Sequence, residues 1–236
     1  KKLSISLEQR TVAQARNVVI AIGTPIDEYL NPKTRQFLET IEQFKPHFNP
    51  EQTIIVRSTV YPNTCYQLQK MLKKENDLEW KIAYCPERIV QGYAVRELSE
   101  LPQIVSGLSN EAIDNAARLF QRISPKIIRT SIQEAELTKL LSNAYRYFQF
   151  ALTNQFYMIS NEFGVDYDKI REAMTESYGR IVNLPSPGFT AGPCLLKDTM
   201  QLVAFDPQGF QLGKVAMDIN EGLPNFIVKS LRREYD

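Results

Sequence analysis

The stretch QEAELTKLLSNAYRYFQFALTNQFYMISNEFG, Gln133 to Gly164, divides the chain. Before it, short β-branched runs alternate with amphipathic segments; from Gln133 the apolar residues recur with the period of a helix. At about 100° per residue, Leu137, Leu140, Leu141, Ala144, Phe148, Ala151 and Leu152 fall on one broad side, and we expect that side to be buried. Lys139, Asn143 and Arg146 lie within about 60° of one another on the opposite side. Most polar stripes of this kind are solvated faces. Phe150 and Tyr157 continue this one, however, so we expect it to be covered by a ligand or a partner.

Upstream, the candidate strands are NVVIAI (Asn17 to Ile22), TIIVRS (Thr53 to Ser58), WKIAYC (Trp80 to Cys85), QIVSG (Gln103 to Gly107) and PKIIRT (Pro125 to Thr130). Helices are expected near Thr34 to Phe44, Tyr61 to Glu75 and Asn110 to Ile123. Strands alternating with helices predict an α/β fold with a parallel sheet, and the nearly unbroken apolar runs suit a sheet covered on both faces. GTPIDE follows the first strand, STVYPNT the second and PERIVQG the third. In open α/β sheets ligands lie outside the carboxyl ends of the strands, so these loops either line one crevice or are turns only. Downstream we expect helices near Tyr167 to Met174, Lys197 to Phe205 and Gly209 to Arg233, with NLPSPGFTAGPC as a loop between the first two.

The composition, 43% hydrophobic and 23% charged over 236 residues, is that of a globular protein. A net charge of +1 without a Lys/Arg block argues against a nucleic-acid or membrane surface, and for a small-molecule partner. No apolar run reaches the roughly 18 to 20 residues of a membrane span, and KKLSISLEQR lacks the apolar stretch of a signal peptide, so a cytoplasmic protein is expected. Cys65, Cys85 and Cys194 lie far apart and His47 is the one histidine, which disfavours a disulfide framework or a zinc site; no metal is expected.

Cys194 is placed unlike a core thiol. It follows Gly-Pro and precedes a charged helical turn in GPCLLKD, a setting in which a helix start favours the thiolate. The ten glycines include no GxG pair, so the Gly-rich turn that holds a pyrophosphate in nucleotide-binding sheets is missing. KKLSISLEQRTVAQA reads as a strand remnant and a short helix, which favours a chain that begins after that unit.

GTPIDE, RSTV, CPERIVQGYAVREL, AELTKLLSNAYR, GPCLLKDT and INEGLPNFIV occur in that order. Together they resemble the UDP-glucose/GDP-mannose dehydrogenase family, closest to its UDP-N-acetylhexosamine (UDP-N-acetyl-D-mannosamine) branch. The resemblance implies residues 1–131 as the later part of an NAD-binding Rossmann domain, and residues 132–236 as an all-helical central domain with a long dimerisation helix. It implies absence of the preceding GxGxxG unit and of a following UDP-binding domain, with this chain alone inactive.

The implied reaction is oxidation of a sugar C6 alcohol to the uronate with NAD, through a thiohemiacetal and a thioester on Cys194, in a homodimer. By position, Lys139 and Asn143 match residues that stabilise oxyanion charge and hold the UDP-sugar, Asp198 a carboxylate that organises water, Thr59 a water-binding threonine near the nicotinamide, and Glu87 a carboxylate of thioester hydrolysis. Thr24, Pro25, Ser58, Thr59, Glu87 and Lys197 are placed on the cofactor side. Arg146, Gly188 and Gly192 join Lys139 and Asn143 on the substrate side, with Tyr178 and Arg180 near the sugar phosphate. Gly188 and Gly192 either permit close backbone approach or are ordinary loop glycines. Gln91 stands where glucose-branch enzymes carry a second glutamate, which counts against glucose as the substrate; Leu195 and Leu196 stand where many relatives have a proline. A β-hydroxyacid or 6-phosphogluconate dehydrogenase relative is the alternative enzyme, and an inactive dimerisation core the non-enzymatic one. The alternative enzymes need no thiol and leave GPCLLKD unexplained.

Overall fold

A computed structural model describes residues 3–24, 26–73, 79–190, 192–206 and 208–235. Pro25, expected on the cofactor side, and Glu75, the expected end of a helix, lie outside the described residues. The chain forms two compact units, residues 1–139 and 140–236, and the division falls inside the long helix.

The first unit is built on a sheet of β1 (Asn17–Ile20), β2 (Thr53–Val56), β3 (Lys81–Tyr84), β4 (Gln103–Gly107) and β5 (Ile127–Arg129), in that spatial order. It has α1 (Thr34–Glu42), α2 (Thr64–Lys73), α3 (Ala94–Glu100) and α4 (Asn110–Phe120), and it includes the start of α5 (Ile132–Glu162). Side chains alternate across a strand, so β2 divides its apolar run between two cores. Ile54 and Val56 pack with Phe37, Ile41, Leu68 and Leu72, while Ile55 packs with Ala112, Ala116, Ala117 and Phe120. Helix α4 turns its alanine-rich side to the sheet and is capped by Ser109, whose hydroxyl accepts the Ala112 N–H at 3.2 Å.

The sheet is mixed rather than all parallel, because β4 runs antiparallel to β3. An antiparallel neighbour needs no crossover, so the segment from Cys85 to Pro102 stays over the carboxyl end of β3 and holds the PER loop there. Helix α3 in this segment was not expected from the sequence. Among the described residues the strand expected near the amino terminus does not form: residues 3–8 carry no regular structure, and a 3-10 turn covers Gln9–Gln14.

Glu136, on the first turns of α5, is fully buried and caps α2 from a distance. Its carboxylate accepts the backbone N–H of Asn63 at 2.7 Å and of Cys65 at 3.2 Å. Burial nevertheless pushes its pKa above the ordinary 4.5, outweighing those two bonds. The folded chain then holds this proton to higher pH than the unfolded chain. Its contribution to stability therefore falls as pH rises from 4.5 through the raised value. Glu136→Gln, which does not titrate, should gain stability relative to the unsubstituted chain across that window, as read by urea unfolding at a series of pH values; parallel curves would contradict this.

The second unit comprises the rest of α5 with α6 (Tyr167–Thr175), α7 (Cys194–Phe205) and α8 (Gln211–Tyr235). Tyr147, Ala151, Leu195 and Ala216 form its core, with Phe148, Phe150, Leu196, Met217 and Ile219 against them. Gly213 allows α7 and α8 to meet closely: a Cβ there would lie 2.8 Å from Val203 Cγ2 and 2.9 Å from Phe210 Cδ1.

The buried side of α5 is rotated from the one expected. Leu140, Asn143, Tyr147, Ala151 and Asn154 are buried, whereas Leu141 is 52% and Leu152 48% exposed. Apolar residues occur nearly all round this helix, so periodicity alone cannot select the face; hydrogen-bonding partners on α7, α8 and the loop before α7 do. The two aromatics of the polar stripe have neighbours within the chain itself. Phe150 joins the core, and the Tyr157 ring meets Tyr167 and Phe226 edge-on at centroid distances of 6.5 and 6.1 Å.

Candidate active site

Parallel pairing of β1, β2 and β3 puts their carboxyl ends, and the three loops that follow, on one edge of the sheet. Ser58 ties the first two together: its hydroxyl donates to the Ile22 carbonyl at 2.6 Å, and the side chain is buried. This bond shapes the loop after β1. Thr24 and Thr59 are half-buried on the same edge.

The third loop is anchored by Arg57, which the sequence reading passed over. Its guanidinium donates to the Cys85 carbonyl at 3.0 Å and to Gln103 Oε1 at 2.9 Å, and it pairs with the Glu87 carboxylate. The Phe120 ring lies beneath, 4.5 Å from Cζ to the centroid. Glu87 also accepts the N–H groups of Arg88 at 2.7 Å and Ile89 at 3.0 Å. The expected carboxylate is therefore held in one orientation. An arginine straight after the apolar run Ile54–Val56 was the available signal, because such a charge needs a partner.

In the helical unit, α7 begins three residues earlier than expected and takes in the thiol. Cys194 is its first residue and is exposed, Pro193 precedes it, and the Lys197 N–H closes the first turn on the Pro193 carbonyl at 2.9 Å. Gly192 has φ +74, a left-handed conformation that costs other residues about 1 kcal/mol, so glycine here serves the turn into α7. A Cβ at Gly188 would meet nothing within 4 Å, so no close neighbour among the described residues requires glycine there.

One turn along α7 the buried Asp198 carboxylate accepts the Asn143 amide at 2.6 Å, and Lys197 Nζ lies 3.1 Å from its other oxygen as an ion pair without hydrogen-bond alignment. The structure thus joins Asn143, Asp198 and Lys197 beside the exposed thiol. Lys139 is buried one turn before Asn143 on the same side of α5, and Arg146 is half-buried. The Tyr178 and Arg180 pair is on the surface, the guanidinium 5.9 Å from the ring centroid. Asn154 and Asn220, buried and joined by a 2.9 Å hydrogen bond, were not expected. Among the described residues no cluster of three or more His, Cys, Asp or Glu could hold a metal ion, and no helix is long and apolar enough to cross a membrane.

The three thiols differ sharply. Cys65 and Cys85 are fully buried, and burial pushes Cys65 well above the ordinary thiol value and Cys85 to about 12. Iodoacetamide should accordingly modify Cys194 alone in the folded chain and all three in denaturant, as read by peptide mass spectrometry. Native modification of Cys65 or Cys85 at a comparable rate would contradict this placement.

Two family models match the chain. Residues 1–124 match the NAD binding domain and residues 133–222 the central domain of the UDP-glucose/GDP-mannose dehydrogenase family. The chain belongs to that family. It is similar to the UDP-N-acetyl-D-mannosamine dehydrogenase of Methanocaldococcus jannaschii, with 28% identity covering 91% of this chain and 50% of that protein. An NDP-N-acetyl-D-galactosaminuronic acid dehydrogenase from Ralstonia solanacearum is 25% identical over 91% of this chain and 53% of its own length. Among solved structures, a UDP-D-ManNAc dehydrogenase from Pyrococcus horikoshii superposes with a TM-score of 0.88 at 26% identity, covering 96% of this chain and 55% of that one. The chain spans about half the length of the curated relatives it matches.

Proposed function

We propose that this chain supplies the nucleophile and the cofactor-side loops of an NAD-dependent UDP-sugar 6-dehydrogenase, which oxidises the C6 alcohol of a UDP-N-acetylhexosamine to the uronate in the cytoplasm. The observation that carries the reading is an exposed thiol at the first position of α7, beside the buried Asn143–Asp198 pair and the half-buried Lys197. Gln91 and the named relatives favour an N-acetylhexosamine over glucose.

The sheet edge suits a dinucleotide: loops after three parallel strands present Thr24 and Thr59, with Ser58 and the Arg57–Glu87 pair fixing their shape. When bound there, NAD supplies the hydride acceptor for both oxidations. An aldehyde has no hydride to release until a nucleophile adds to it, so the second oxidation calls for covalent catalysis. Cys194 adds to the C6 aldehyde as a thiohemiacetal, which after oxidation is a thioester. Lys139 and the Asn143 amide stabilise negative charge on the C6 oxygen, Asp198 orders water, and Glu87 assists thioester hydrolysis. Initial assays would use the full-length protein with NAD and, separately, UDP-N-acetyl-D-mannosamine and UDP-glucose. We expect two NADH per sugar and preference for the first substrate; no NADH with any UDP-sugar would defeat the reading.

Homodimerisation is the second part of the proposal. Leu141, Tyr145, Leu152 and Ile159 form an exposed stripe along α5, with Leu212 and Val215 of α8 also exposed. A contiguous apolar face of this kind suits a second copy of the chain. Leu152→Glu should shift the protein to monomer in sedimentation velocity at micromolar concentration, whereas an unsubstituted protein that is already monomeric would refute the pairing.

A further inference from the structure

Asn154 makes contacts that neither the family motifs nor the proposed chemistry assign. It is fully buried on α5 and uses its whole amide. Its Nδ2 donates to the Gly188 carbonyl at 3.1 Å and to Asn220 Oδ1 at 2.9 Å, and its Oδ1 accepts the Gly188 N–H at 2.8 Å. One side chain thus pairs with both backbone groups of a loop residue as a neighbouring strand would. Asn220 is fixed in turn, donating to the Tyr147 carbonyl at 3.1 Å, and the Tyr147 hydroxyl reaches Glu221 at 3.2 Å.

The position of this clamp gives it a consequence for the thiol. Gly188 precedes Cys194 by six residues and Asp198 follows it by four. Asn154 holds the first and Asn143 the second, from nearly the same side of one helix, about 16 Å apart along its axis at 1.5 Å per residue. A rigid rod therefore grips the Cys194 segment on both sides of the sulfur. Catalytic groups must be held within about 0.5 Å to be productive, and segments of irregular backbone reach that only when tied to regular elements.

We propose that Asn154 is a positioning residue, whose bidentate hold on the Gly188 backbone, with Asn143 on Asp198, sets the placement of the Cys194 thiol. The proposal rests on the reading of Cys194 as the nucleophile. Its test has one arm that does not depend on that reading.

In this chain, hydrogen exchange of the Ser186, Gly188, Phe189 and Thr190 amides and the rate of Cys194 alkylation by iodoacetamide would be measured for the unsubstituted protein, Asn154→Ala and Asn154→Ser. The serine variant is the milder one, because its hydroxyl can bond back within α5 yet is too short to hold Gly188. Leu72→Ala, a comparable core loss in the sheet unit, is the control for general destabilisation. We expect at least tenfold faster exchange at Gly188 and at least a threefold change in the alkylation rate for both Asn154 variants, and neither for the control. Unchanged exchange, or faster exchange with an unchanged alkylation rate, overturns the proposal even if the protein is no dehydrogenase. In the active full-length enzyme, kcat should fall at least tenfold with KM for the UDP-sugar changed less than about threefold. A loss confined to KM would also overturn it.

Discussion

Cys194→Ser in the full-length enzyme is expected to lower uronate formation by at least about 10³-fold while leaving folding and dimerisation unchanged. The side chain is exposed at the start of α7, so replacing sulfur by oxygen leaves no cavity in the core and removes no cap. The effect is chemical. A serine hydroxyl at neutral pH has almost no anionic fraction and no neighbouring base in this unit comparable to the histidine of serine hydrolases, so addition to the aldehyde becomes slow. Oxidation of the alcohol needs no thiol, so the variant should still form the aldehyde, and its NADH yield should approach one per sugar consumed. Rapid-quench analysis of product and NADH checks both statements. Normal uronate production by the serine variant would remove Cys194 from the reaction.

The second large effect concerns Asn143 and Asp198. Asp198 is 1% exposed and its 2.6 Å bond from the Asn143 amide is charge-assisted, the stronger kind of hydrogen bond. Removing one partner leaves the other group buried without it, so Asn143→Ala and Asp198→Ala should each cost about 2 to 4 kcal/mol of stability. The double variant should cost clearly less than the sum, with a coupling of about 1 to 3 kcal/mol in a denaturation cycle. The same pair enters the proposed catalysis, in which it fixes the amide that would face the developing oxyanion and orients α7 one turn beyond the thiol. Asp198→Asn separates the two contributions: it keeps the shape, removes the charge, and should lower kcat by more than its stability loss explains. Additive stability costs in the cycle would show that the bond is not a coupled unit.

Much of this organisation could be read from residue order. The five strands lie within a few residues of their apolar runs, because a sheet covered on both faces demands unbroken β-branched sequence, and that demand is local. Four of the six motifs, GTPIDE, RSTV, CPERIVQGYAVREL and GPCLLKDT, sit where one element hands over to the next, whereas AELTKLLSNAYR and INEGLPNFIV lie within α5 and α8. Three features were not legible, for three physical reasons. The antiparallel β4 differs from a parallel one only in which end of the sheet the chain enters from, and the apolar run QIVSG is the same either way. The buried face of α5 was misjudged because Asn143, Tyr147 and Asn154 gain more from partners on α7, α8 and the Gly188 loop than Leu141 and Leu152 gain from burial. Arg57 and Glu136 were overlooked because each answers a partner about 30 to 70 residues away, and no window along the chain contains both ends of such a contact.

The account stands on a covalent bond to one sulfur, and that bond can be weighed. In full-length Glu87→Gln, the variant expected to slow thioester hydrolysis, the protein would be mixed with NAD and its UDP-sugar, quenched in acid and digested for mass spectrometry. The account predicts an adduct of the oxidised sugar nucleotide on the peptide carrying Cys194, absent without NAD and absent in the additional presence of Cys194→Ser. Sustained uronate formation with no adduct at Cys194 at any quench time would contradict it.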